Sequence, residues 1–296
     1  MAVSTVKFIL NGQTHNLNYN SSTGKYTAVI TAPSTTSWNQ TNHKYAGQIT
    51  ATDEAGNVSV ATISDFSSLG LRVLEKMKPA VSVIYPTNGA MLATGTPTIQ
   101  WTVTDTGSGI NRDSITLSID NGTPITISAI TTTAITNGYT CTHVVSTALS
   151  EGNHTLRFNV QDNDGNNSDT ATVTFMVDLT PPVLVVTSPT DNLITNQSTV
   201  TVSGTSNDSS QTAVTVTVKV NSGEPKSLAV VDGAFSDTVT LTEGENTLTF
   251  VATDAAGRTT TVTRTVVLDT VAPSILNVTL TPNPVDAGAT YTVSVT

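Results

Sequence analysis

Oxygen-bearing side chains crowd one short stretch of the chain, Asp162-Asn163-Asp164-Gly165-Asn166, and a further acid, Asp178, follows near a proline hinge. Calcium takes about six to eight hard oxygen ligands, and closely spaced Asp and Asn on a turn beside an acid can supply several of them. Asp162, Asp164, Asn166 and Asp178 are therefore a candidate calcium set, in which the ion would stiffen the hinge. The competing reading is that these residues only shape a turn. The equivalent stretch Asp254-Ala-Ala-Gly-Arg258 lacks most of the ligands, and no other cofactor is expected.

Aromatic residues are scarce, so Trp38 stands out in the polar segment that runs from Ala32 to Tyr45. An indole flanked by amides can stack on a sugar ring, which makes Trp38 and Tyr45 candidate glycan-binding residues; alternatively Trp38 covers an open edge of its own domain. Catalysis needs convergent groups, and none is legible. There is no Gly-x-Ser-x-Gly elbow and no phosphate-cradling glycine loop. His15, His43, His143 and His154 lie in strand-like context without ligand spacing. The single cysteine, Cys141, sits in an alternating run and reads as a small buried apolar side chain. The chain is expected not to be an enzyme.

Only 11% of residues are charged, with Thr, Ser and Asn in their place, and the net charge is −10. This suits an all-β protein with an uncharged polar surface. It disfavours nucleic acid and anionic membranes, because no basic stripe is present to neutralise phosphates. One cysteine precludes an internal disulfide. The opening MAVSTVKFILNGQTHNLNY does not resemble a secretory signal, and no apolar run approaches the roughly 18 residues of a membrane span. The expectation is a virion or extracellular protein with no secretion signal, released by a route such as lysis or trimmed from an exported precursor, and with no membrane insertion.

A repeat positions these residues. ITATDEAGN (49–57), FNVQDNDGN (158–166) and FVATDAAGR (250–258) share an Asp (Asp53, Asp162, Asp254) and a Gly three residues later. Ile49, Phe158 and Phe250, four residues before the Asp, share a strand face with Ala51, Val160 and Ala252. The Asp then bonds the turn backbone while the Gly takes positive φ. Each repeat ends at an acid four residues before a proline: Glu75, Asp178 and Asp269 before Pro79, Pro182 and Pro273. Those hinges stand roughly 100 residues apart, the size of a seven-stranded sandwich. The expected domains are 1–75, 76–178 and 179–269, with a tail at 270–296.

The Asp-x-x-Gly turns, the Glu151-Gly152 and Glu243-Gly244 strand entries, and the hinges Asp178-Leu-Thr-Pro-Pro182 and Asp269-Thr-Val-Ala-Pro273 resemble tandem bacterial immunoglobulin-like repeat proteins. Within that group the chain looks most like immunoglobulin-like proteins of phage tails and virions. The resemblance implies an all-β array of tandem immunoglobulin-like β-sandwiches, elongated, with incomplete half-domains at both ends. It also implies a non-catalytic structural and adhesion role on a virion, among other virion proteins and against host surface carbohydrate. A fragment of a cell-surface adhesin and an accessory region of a polysaccharide-active enzyme are the alternatives.

The first repeat opens on Thr5-Val-Lys-Phe-Ile-Leu-Asn11-Gly12, which matches the middle of the second, Ile115 to Gly122, so it lacks the first two strands. The tail reads as that strand pair alone. Val6 and Phe8 of the first repeat and Ile275, Val278, Leu280, Val293 and Val295 of the tail are the expected assembly residues. The tail of one subunit would complete the first domain of the next, head to tail, as a homo-oligomer; closure of the tail on its own chain, and a chain cut at both ends from a longer array, are the competing readings.

Overall fold

The computed structural model describes residues 2–296; Met1, the first residue of the first expected domain, lies outside the described residues. No α-helix occurs among them, and the chain divides into two compact units, 1–179 and 180–296.

In the first unit, residues 2–75 carry strands β1 (Val3–Leu10), β2 (Gln13–Asn20), β3 (Lys25–Thr27), β4 (Tyr45–Asp53), β5 (Val58–Thr62) and β6 (Gly70–Leu71). They form one antiparallel sheet in the order β3-β2-β1-β4-β5, with β6 paired to the start of β4. The β1–β2 hairpin turns on Asn11 and Gly12, both at positive φ, as a tight two-residue turn demands.

The second domain of that unit holds β7 (Ala80–Tyr85), β8 (Met91–Leu92), β9 (Thr98–Thr104), β10 (Ile110–Ile119), β11 (Thr131–Ile135), β12 (Gly138–Val144), β13 (Gly152–Asp162) and β14 (Ala171–Val177). Two sheets, β10-β13-β14-β8 and β11-β12-β9-β7, close on one core. The alternation read in the sequence is the packing rule: Ile99, Trp101 and Val103 of β9 face Leu156, Phe158 and Val160 of β13, and all are buried. The Trp101 and Phe158 rings meet at 5.1 Å and 51°. Cys141 stands opposite Trp101 in the β9–β12 ladder, inside the same core.

The second unit repeats this plan with β15 (Val183–Ser188), β16 (Leu193–Thr195), β17 (Thr199–Asn207), β18 (Thr215–Val220), β19 (Lys226–Leu228), β20 (Val230–Val231), β21 (Ala234–Thr240), β22 (Gly244–Thr253) and β23 (Thr259–Leu268). Its sheets are β15-β17-β21-β20 and β16-β23-β22-β18-β19, packed around Phe235, Leu248 and Phe250. A last hairpin, β24 (Val278–Thr281) with β25 (Thr292–Val295), pairs only with itself, and every residue from Asp269 to Thr296 is exposed.

Candidate functional site

Two features of the fold are left open or charged in a way that packing alone does not explain. The first is the sheet of residues 2–75. Its β1-β4-β5 order repeats β10-β13-β14 and β18-β22-β23, the sheet that in each complete domain faces a second one. Among residues 2–75 no strand stands where β7 and β9 stand in the second sheet of the second domain, and the inner face of β1 is left only partly covered. Leu10 and Tyr45 are the buried hydrophobic side chains of this domain among the described residues. Phe8, Leu10, Ala28, Ile30, Leu69 and Leu71 instead line an apolar groove of about 360 Å³.

The backbone reports the same gap. In the second domain β12 runs for seven residues because it pairs with β9, and β21 runs for seven against β17. The corresponding strand of the first domain, β3, stops after three residues. Residues 28–34 continue as irregular chain with no backbone-to-backbone hydrogen bond among the described residues, and Val29 projects into solvent. Without a partner strand there is no ladder to extend. Of the expected assembly residues, Val6 and Phe8 are half-buried on β1, whereas Ile275, Val278, Leu280, Val293 and Val295 are all exposed. The β24–β25 pair is antiparallel, like β7–β9 and β15–β17, with proline (Pro282, Pro86, Pro189) directly after its first strand.

The second feature is an acidic junction inside the first unit. The turn after β13 forms as the sequence dictates: Asp162 Oδ1 accepts the Asp164 and Asn166 N–H groups at 2.9 and 2.8 Å, and Gly165 has φ 93°. The Asp53 turn is built alike, and hydrogen bonds from the Asn57 side chain and backbone hold the Asp53 carboxyl below its ordinary value. Around the Asp162 turn gather Glu75, from the segment before β7, and Asp105, directly after β9. Each offers a carboxylate oxygen, and those three oxygens lie within 4.8 Å of one another.

The expected calcium set is thus regrouped. Asp162 belongs to the cluster. Asp164 Oδ2 accepts the Thr36 hydroxyl and, at 3.2 Å, the Glu75 N–H, while its Oδ1 faces Arg72 at 3.7 Å. Asn166 donates its amide to Asp162 Oδ2 at 2.7 Å and to the Glu75 carbonyl at 3.2 Å. Asp178, expected beside this turn, lies at the other end of the sandwich: Gly152, ten residues before Asp162 along β13, pairs with Val177. At ~3.4 Å per residue the two ends of that strand are roughly 30 Å apart. The hinge acid that meets the turn is the one preceding the domain, Glu75. Sequence reading missed Glu75 and Asp105 as partners; the signal was an Asp directly after the second strand, repeated as Asp208 after β17.

The expected glycan pair is also separated in character. Tyr45 is 4% exposed and its hydroxyl lies 2.6 Å from the Thr35 hydroxyl, so its ring offers no face to a sugar. Trp38 is half-buried and stacks on His43, centroids 3.9 Å apart and planes at 14°. The loop is instead fastened by Ser37, whose hydroxyl donates to the His43 carbonyl and accepts the Val73 N–H. Beside it Thr35, Gln40, Leu74, Glu75, Met77 and Gly107 line a cleft of about 820 Å³.

Among the described residues no helix is long and apolar enough to cross a membrane. Three family models match consecutive stretches: a bacterial Ig-like domain over residues 5–67, a bacterial Ig domain over 79–157, and glucodextranase domain B over 182–270. No curated protein matches the chain. Similar solved structures include the fibronectin(III)-like modules of Clostridium thermocellum CbhA, at 16% identity and TM-score 0.41, covering 64% of this chain and 94% of that one. An I-band fragment of titin matches at 11% identity and TM-score 0.39, covering 90% and 88%. The Bacteroides ovatus glucan-utilisation protein SGBP-B, solved with a mixed-linkage heptasaccharide, matches at 16% identity and TM-score 0.23, covering 93% and 62%. Sheet order, core and family matches together make this chain a tandem array of immunoglobulin-like domains.

Proposed function

We propose that this chain is a non-catalytic structural and adhesion component of a bacteriophage virion that assembles by strand complementation between copies. The observation that carries the assembly is the pairing of a bare sheet face with a bare hairpin of the kind that face lacks. In the second domain, β7 and β9 bring Val81, Val83, Ile99, Trp101 and Val103 to the core. The β24–β25 hairpin carries Val278, Leu280, Val293 and Val295 in strands of the same pairing, all exposed. A two-stranded hairpin alone is marginal in water, and an uncovered sheet face is an aggregation hazard; docking one on the other relieves both. Residues 28–34 then gain a strand to pair with.

The virion setting rests on the likeness of the repeats to tail-associated proteins. Contact with host surface glycans rests on that likeness too. The match of residues 182–270 to glucodextranase domain B favours a second reading, an Ig-like accessory region of a polysaccharide-active enzyme.

Light scattering on the full chain, beside a version ending at Asp269, tests the assembly. Concentration-dependent oligomers from the full chain and monomers from the shortened one are expected; monomers from both overturn complementation between copies. For the virion setting, gold-labelled antibody against the second domain should decorate purified particles in electron micrographs. Label on the bacterial surface and none on particles would assign the chain to the host envelope.

A further inference from the structure

We propose that Glu75, Asp105 and Asp162 form a calcium site that clamps the segment following the first domain onto the end of the second. The three carboxylates approach within 4.8 Å, yet among the described residues no lysine or arginine ion-pairs with any of them. Arg72 faces the neighbouring Asp164 instead, at 3.7 Å. Three like charges at this spacing repel strongly in a partly dry site, and backbone N–H groups supply only part of the compensation.

A second observation is independent of charge. Asp105 is 5% exposed; its Oδ2 accepts the Gly107 and Gly109 N–H groups at 3.1 and 2.6 Å, while its Oδ1 is buried with no hydrogen-bond partner. Nearly all buried polar atoms in folded proteins are satisfied, so an orphan carboxylate oxygen inside an acid cluster marks a missing positive partner. The donors are all hard oxygens, without sulfur or imidazole, which selects calcium or magnesium over zinc. Magnesium demands a tight octahedron and keeps its waters, whereas calcium accepts the irregular approach of carboxylates from three separate segments.

The backbone is shaped to admit Glu75. Its Oε1 accepts the Ser108 N–H, and its carboxylate lies where a side chain on Gly107 would stand, so a Cβ there would collide with it. Glycine at 107 keeps the acid in the cluster. An ion held here ties Glu75 to two strand ends of the second domain, and the angle of the segment between the domains becomes fixed by a ligand rather than by packing.

Calorimetric titration of the full chain with CaCl2, after removal of metal with EDTA, tests this. Wild type should bind calcium with a dissociation constant in the micromolar to millimolar range, and the melting temperature of the first unit should rise with calcium and return with EDTA. Glu75→Gln should lose one equivalent of bound calcium, or weaken that site at least about tenfold, while melting in EDTA like wild type. Gly107→Ala keeps every charge but displaces Glu75, and should show the same loss. Calcium binding unchanged in both variants, or no calcium binding by wild type, would overturn the site and leave the acids as turn-formers.

Discussion

Cys141 shows how far a single residue can be read. An isolated cysteine in an alternating run predicts a buried apolar side chain, and the thiol indeed lies opposite Trp101 with no exposed surface. Burial disfavours the thiolate and pushes its pKa up to about 12, with Arg112 opposing only weakly. Since the thiolate is the nucleophile, native protein at pH 8 should not react with a disulfide reagent over hours, and one thiol per chain should appear at once in denaturant. Prompt native labelling would mean that the β9–β12 pair opens readily. The carboxylates were less legible. Asp162 announced its turn through local spacing, because its bonds run to residues two and four positions on. Its grouping with Glu75 and Asp105 depends on contacts spanning most of a domain, and no local spacing encodes them. Asp178 is near the turn in sequence, which predicts proximity, whereas the antiparallel β13–β14 hairpin sends it to the far end.

At the level of strands, the repeat carried most of the fold. Asn11-Gly12 and Asp232-Gly233 sit at positive φ in tight hairpin turns, whereas the turn at Asn121-Gly122 centres one residue earlier, on Asp120 and Asn121, and is closed by the Gly122 N–H donating to the Ile119 carbonyl. Ile99, Trp101 and Val103 alternate along β9 and all are buried, the period-two pattern of a core-facing strand. The opening of the first domain matches the middle of the second, and among residues 2–75 no strand stands where β7 and β9 stand in the second. The consequence for a neighbouring strand has no local sign. Gly24-Lys-Tyr26 matches the start of β12, yet β3 stops at Thr27 because the residues that make β12 long belong to its partner, β9. Strand length in a sheet is a property of pairs, and a sequence window sees one member. The same limit hid Tyr45: its ring looked available in a polar loop, but β4 begins there and carries it inward.

Across the whole chain, stability is unevenly spread. The second and third domains each close a hydrophobic cluster between two sheets, whereas residues 2–75 bury little beyond Leu10 and Tyr45 and leave Phe8 half-covered. Each Val or Leu that moves from water to a core contributes about 1.5–3 kcal/mol, so four such side chains on a docked hairpin would matter greatly to a single-sheet domain. Local opening follows from few buried contacts and unpaired backbone. Amides of β1, β4 and the 28–34 segment should therefore exchange with deuterium well before those of β9 and β13 in a chain ending at Asp269. Adding a synthetic peptide of residues 272–296 should then slow exchange at Phe8 to Leu10 and at residues 28–34, with no effect on the other two domains. A version of the peptide with Leu280→Asp and Val293→Asp should give no protection, since it places charge against an apolar face. If the unmodified peptide at millimolar concentration leaves these amides unprotected, the hairpin is not the element that covers this sheet. Protection confined to the first domain would show that one fold, cut between two chains, supplies both the open groove and the strand pair that fills it.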